Sequence, residues 1–492
     1  MRPPLIVVGE PGVKIGLQLF DGPIDLFAER HPVELVEHRS VEALADAVSL
    51  RALGLGAGMV DVLDRQVELI LVAFAAAASP RPAQAQTKQA PTQQPATNTS
   101  NPANPKIRAI TAFVNLDWRD YQRQIADALS MLHRAQVTFE SRGYQVQTLR
   151  IATQPFPEYI KGMNTQQAVD FFKLLDALAG QQKFAMSIGP AMLNANDPAS
   201  QADLLGDILA STKNLNGTVV VAGEDGVRWG AIAAAARVMK KLENSTEHSQ
   251  GNFRFAAIAN VPPLSPFFPA AYHTGFGHQF AIALESAPVV AAAFKDAPDL
   301  PSARQRLTDT LANVAFDVEH HAGRIDSESG WTYMGIDLSP APSPAPNTSI
   351  GVAIENLTKQ PFGMSGTMTA AATITAAIKD VKVKQTGYGG LMLPVLEDAR
   401  LAQRWSEGRI SVDALLAYSA VCGTGLDTIP LPGDTTAEQL SLILADMASL
   451  SVKWHKPLSA RLLPVVGKGW GETTEFDNPF LVNVTLQQFG QK

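Results

Sequence analysis

A chain of 492 residues exceeds one small core, and two or three domain-sized units are the expectation. Hydrophobic residues make up 46% and charged residues 18%, an ordinary balance for a soluble globular enzyme. The formal net charge of −7 leaves no basic excess for a nucleic-acid surface, and a single cysteine excludes an intrachain disulfide framework and a cysteine-rich metal site.

Residues 1–78 read as an amino-terminal extension with helical spacing at 33–50 and no recognisable motif. Its most apolar run, Val67 to Ala78, has 12 residues, short of the ~20 that span a bilayer. The small residues that follow, to position 86, give an alternative reading as an export signal. Asp61, Asp64 and Glu68 stand where such a signal carries positive charge, so a cytoplasmic location without a membrane partner is expected. Residues 79–105 consist almost wholly of Pro, Ala, Gln, Thr, Asn and Ser. They bury too little apolar surface to offset the entropy of ordering, and read as a disordered linker.

From Lys106 strand and helix signals alternate. IRAITAFV at 107–114 reads as a buried strand, 118–142 as an amphipathic helix and 144–152 as a strand; a helix capped by Asn164 then runs to Gln182. A strand at 184–188, a helix at 200–215, a turn at Asn216-Gly217 and a strand at 218–222 follow. GEDG at 223–226 opens an Ala-rich helix. Strands at 253–261, 278–285 and 333–338, with a helix at 302–321, extend the alternation. This pattern implies parallel strands joined by crossover helices in one large α/β domain over 106–492, as an open doubly wound sheet or a closed α/β barrel. After 451, two strands around a glycine-rich hairpin at 467–471 read as a small C-terminal antiparallel addition.

In both architectures ligands sit at the carboxyl ends of the strands, which nominates Glu224 and Asp225, Asp337 with Ser339 behind it, and Glu397 and Asp398. In GYGGLMLPVLED, Gly389 and Gly390 suit close backbone approach to a ligand or a neighbouring loop. Tyr418 to Thr436, YSAVCGTGLDTIPLPGDTT, reads as an irregular loop carrying Cys422, Asp427 and Asp434. Cys422 follows a helix at 411–421, whose negative end disfavours a thiolate; it is a small buried side chain unless a local cation activates it. Asp427 reads as a turn acid, and Asp434 precedes a Thr435/Glu438 capping box. The two together also suit a divalent cation. His273, beside a GFG turn, is a pocket candidate.

The blocks IRAITAFV, YMGIDLSPAPSP, GYGGLMLPVLED, SAVCGTGLDTIPLPGDTT and SARLLPVVGKGWGE, in this order, resemble the family of domain of unknown function 711 over about 106–476. That family is similar in fold to the pyruvate formate-lyase-like glycyl radical enzymes, so the resemblance implies a ten-stranded α/β barrel and allows a homodimer. It implies no reaction. RLLPVVGKGW at 461–470 does not match a glycyl radical signature, so radical chemistry is not expected. Together the residues point to an enzyme for a small polar metabolite, working by carboxylate acid–base or metal-assisted chemistry with Asp337, Asp427, Glu397 and Cys422. The alternative is a regulatory protein that binds a metabolite or metal without turnover.

Overall fold

Short apolar strand runs leave their backbone donors and acceptors unpaired until they stack edge to edge. The computed structural model describes three short strands near the amino terminus and residues 106–345 and 348–488. The chain divides into two units, Met1–Ala96 and Thr97–Lys492. In the first, β1 (Ile6–Val8), β2 (Ile15–Gln18) and β3 (Asp25–Ala28) form an antiparallel sheet. The helix expected at 33–50, the apolar run with its signal reading, and the linker at 79–105 lie outside the described residues.

The second unit is a mixed α/β fold. Its strands are β4 (Lys106–Val114), β5 (Leu149–Thr153), β6 (Ala185–Pro190), β7 (Leu215–Gly223), β8 (Gly226–Val227), β9 (Phe255–Ala259), β10 (Gln279–Glu285), β11 (Thr332–Asp337), β12 (Gly425–Pro432) and β13 (Leu458–Val465). They form one ten-stranded sheet in the order β11-β10-β4-β5-β6-β7-β9-β13-β12, with β8 paired to β7. The five middle strands from β4 to β9 are parallel. The flanking pairs β10–β11 and β13–β12 are each parallel internally and run against the middle block. The segment Gln385–Pro394 meets both edges of the sheet, with Gln385 bridged to Ile336 on β11 and Pro394 to Asp427 on β12.

Among the helices of the second unit are α1 (Tyr121–Glu140), α2 (Thr165–Gln182), α3 (Ser200–Ala210), α4 (Trp229–Ser245), α5 (Leu300–Ser329), α6 (Ile350–Thr358), α7 (Ala399–Ser406), α8 (Val412–Ser419) and α9 (Ala437–Trp454). The Asn164 cap forms as the sequence implies: its side chain accepts from Gln167 N while the Gln167 side chain accepts from Asn164 N. Bulky strand residues such as Ile107, Ile151, Phe255 and Phe280 pack with the helices in the main core. A smaller cluster joins Ala109, Val220, Ala256 and Ala283 to Tyr388 and Met392 of the bridging segment. Alanines on that side leave room for a chain segment to lie against the sheet.

Several expectations change. Asn216-Gly217 is not a turn but lies within β7; a Cβ at Gly217 would stand 2.5 Å from the Leu205 side chain, so the glycine admits α3 against the strand. Residues 425–432 of the supposed loop at 418–436 are the fully buried strand β12. An edge strand tolerates proline, and the two-residue spacing puts the ring nitrogens of Pro430 and Pro432 on one side. The capping box before α9 is Thr436 with Gln439, one residue beyond the expected pair. At the carboxyl end, 458–465 joins the main sheet as β13, and past the Gly467–Gly471 turn the antiparallel addition is a single bridge between Thr473 and Thr485.

Candidate functional site

Arg108 and Arg461 each begin among apolar residues, in KIRAITAFV and LSARLLPV. A charged side chain so placed has to find a partner or a wet cavity. Each stands at a sheet irregularity. Opposite β10 the register passes from Ala109 to Ile107, leaving Arg108 as the extra residue of a bulge. Between Leu426 and Ile429, β12 carries one more residue than β13, so Asp427 and Thr428 oppose Arg461, with Thr428 at φ 45°. Bulges re-aim side chains, and these direct the two arginines and Asp427 to one place.

Glu397, at the end of a short turn held by the Pro394–Asp427 bridge and by Leu396 N donating to Thr428 Oγ1, ties the group together. Arg461 donates from Nη2 to Glu397 at 2.5 Å and from Nε to Asp427 at 2.5 Å. Arg108 reaches the other Glu397 oxygen at 3.2 Å and Glu285 at 3.1 Å, and Gln147 donates to Glu285 at 2.6 Å. Strands β4 and β13 are separated in the sheet by β5, β6, β7 and β9, roughly 24 Å if the sheet were flat. One carboxylate touching arginines from both requires the sheet to curl around the site. The two carboxylates raise the Arg461 pKa above its already high value, outweighing the opposing effect of burial, which is the largest single influence.

Arg108, Gln147, Glu397, Asp427 and Arg461 line a cavity of about 950 Å3, together with Arg150, Tyr388, Arg254 and the rings of Phe253, Phe267, Phe268 and Phe480. Thr148, Arg150, Ala185, Asn214 and Arg254 line it at the amino ends of the middle strands, and Glu224 and Asp225 stand at the opposite end of β7. The carboxyl-end expectation therefore fails for the middle block. Because the flanking pairs run the other way, the carboxyl end of β11 lies on the same side as the amino end of β4.

Of the residues expected from sequence, Glu397 and Asp427 line the cavity. Asp337, Ser339, Gly389 and Gly390 do not; they build the loop behind it. Asp337 accepts from Ser339 N and Oγ and from the backbone N–H groups of Tyr388 and Gly389, and Ser339 Oγ accepts from Gly390 N. Burial raises the Asp337 pKa and those donors oppose the rise. Its role is to fix the segment that presents Tyr388. Burial likewise raises the pKa of the Tyr388 hydroxyl, with the Ser459 hydrogen bond opposing and Asp427 reinforcing, so it stays a neutral donor in the cavity wall.

The other candidates are accounted for by folding. Asp398 accepts from Arg400 N and Leu401 N at the start of α7 and from Ser349 Oγ, Ile350 N and Gly351 N at the start of α6, capping two helices with one carboxylate. Cys422 is fully buried, and the nearby cation, Lys456, donates to the carbonyls of Ser419, Ala420 and Cys422 at the end of α8. Asp225 pairs with Arg228 in an exposed β7–β8 hairpin turn shared with Glu224. His273 is buried against Gln279 and away from the cavity. Asp434 is exposed, past the far end of β12 from Asp427. The mostly extended chain between them separates the two acids by roughly 20 Å, too far to share a cation. Among the described residues, Glu247, His248 and Asp477 bring ligand atoms within 4.8 Å of one another, all exposed.

The sequence reading missed Arg108, Arg150 and Arg461. The available signal was a lone arginine inside an apolar strand, three times over.

The family model described as "Uncharacterised ACR (DUF711)" matches residues 100–478. A UPF0210 protein of Pyrobaculum arsenaticum is 31% identical over 74% of this chain and 86% of its own. One of Methanocaldococcus jannaschii is 27% identical over 72% and 82%. Among solved structures, an anaerobic ribonucleotide reductase from Thermotoga maritima overlaps 73% of this chain and 75% of its own at a TM-score of 0.35 and 10% identity. Overlap that loose carries no argument about chemistry.

Proposed function

Since the chain belongs to the uncharacterised DUF711 family, which hands down no reaction, we propose from its own cavity that it binds a small polar metabolite there and presents it to Asp427, Glu397 and Tyr388. The observation that carries this reading is the convergence of these groups from separate stretches of chain on one cavity of about 950 Å3, a size suited to a small-molecule ligand. In the acid–base reading, Tyr388 is the proton donor and Asp427, paired with Arg461, the acceptor. Asp337 and Cys422 leave the catalytic set and become supports. Binding without turnover is the second reading, favoured because Arg461 engages both Glu397 and Asp427.

The test is native mass spectrometry of the purified full chain, followed by thermal-shift titration of whatever is released. Tyr388→Phe removes one hydroxyl and keeps the ring; it should unfold like the wild type while retaining at least fivefold less ligand. No retained molecule, and no thermal shift with any of a broad set of polar metabolites, would sink the reading. Conversion of the identified ligand by the wild type, slowed in Tyr388→Phe, would select the enzyme over the passive binder.

A further inference from the structure

The charges around the cavity do not balance. Lys106, Arg108 and Arg461 share Glu285, Glu397 and Asp427 through ion pairs of 3.8 Å or less. Arg150 is a further cation and, among the described residues, has no carboxylate within ion-pairing distance, whereas the Nη groups of Arg254 in the same lining already donate to the Leu215 and Leu209 carbonyls. The one side-chain hydrogen bond of Arg150 is from Nε to Thr148 Oγ1 at 3.0 Å, which leaves its Nη groups without a protein acceptor. The guanidinium lies 4.8 Å from the Phe268 ring centre, and both residues line the cavity. Burial first, and then repulsion from Arg108, lower its pKa to about 9, so it remains charged at neutral pH. A half-buried cation facing two others, with the nearby Glu397 already paired to both of them, is costly unless an anion or ordered solvent meets it. A planar guanidinium with its outer edge free matches the two oxygens of a carboxylate or phosphate.

We propose that Arg150 is the anion-binding residue of this cavity: the ligand carries a carboxylate or phosphate that seats on the Arg150 Nη groups above Phe268. This deepens the small-metabolite reading and rests on it. Arg108 and Arg461 hold the wall and its carboxylates, whereas Arg150 supplies the unspent charge. The aromatic rings beside it exclude water and so strengthen the pairing.

Isothermal titration of the full chain with inorganic phosphate and, separately, malonate supplies the test, using wild type, Arg150→Gln and Arg150→Lys. Saturable binding of at least one anion to the wild type is expected, weaker at higher salt. Binding should fall about tenfold or more in Arg150→Gln and be partly kept in Arg150→Lys. Without ligand, Arg150→Gln should unfold at the same temperature as the wild type or higher, since it relieves repulsion and breaks no ion pair; an arginine with a merely structural role would lower it. Equal anion affinity in Arg150→Gln, or no binding of either anion to the wild type, overturns the assignment. Should Arg150→Gln fail to fold, the proposal falls on stability alone. A neutral molecule recovered from the cavity and bound equally by Arg150→Gln would defeat this inference and leave the metabolite reading standing; an empty cavity with no thermal shift for any metabolite would defeat both.

Discussion

Asp398 shows how much one side chain can organise. Its carboxylate accepts from four backbone N–H groups and one hydroxyl at the starts of α6 and α7. Asp398→Ala strands those donors, each worth about 1 kcal/mol or more when buried. The expected cost is at least about 3 kcal/mol, read from urea unfolding; a cost below 1 kcal/mol would refute the double cap. His273 makes a pH-dependent contribution. Burial lowers its pKa below the ordinary 6.5, with Gln279 and the Gly277 carbonyl opposing and His278 adding to the decrease. Below about 6.5 the unfolded state therefore binds a proton that the folded state does not. Stability should fall as pH drops through that value toward the depressed folded pKa. Unfolding midpoints at pH 7.5 and 5.5 should differ less for His273→Gln than for the wild type.

At the scale of elements, the bridging segment Gln385–Pro394 matters most, because it carries Tyr388 and meets both sheet edges. Its Gly390 serves the approach of another backbone rather than of a ligand. A Cβ on Gly390 would stand 2.7 Å from the Gly423 Cα, and no flexible side chain intervenes to yield. Gly390→Ala should cost about 2 kcal/mol and weaken ligand retention by displacing Tyr388. An unchanged unfolding midpoint would show that the two segments part easily. The bulges at Arg108 and Asp427 act similarly: each inserts one residue and turns a side chain toward the cavity.

At the scale of the molecule, the second unit holds its own ten-stranded sheet, both sheet-lining clusters and every residue named in the cavity. A chain beginning at Thr97 should therefore unfold cooperatively at the midpoint shown by the full-length protein and retain the same ligand. Loss of either property would make residues 1–96 part of the working structure. No described helix is long and apolar enough to cross a membrane.

The sequence by itself determined the local grammar. Strand and helix alternation and the Asn164 cap follow from periodicity and side-chain chemistry, which act over a few residues. It misplaced whatever depended on a distant neighbour. Gly217 reads as a turn until Leu205 packs on it, and 425–432 reads as a loop until β13 pairs with it. Asp337 reads as a reactive group until the Tyr388 loop engages it, and Cys422 until its side chain is seen packed in the main core. Only the tertiary structure could decide that Arg461 shares a cavity with Arg108 and Arg150, because the curl of the sheet brings β13 to the neighbouring strands β4 and β5, from which it is far removed in the chain. Local propensity is written residue by residue, whereas a site assembled across a sheet depends on register and curvature, which exist only once the strands have paired.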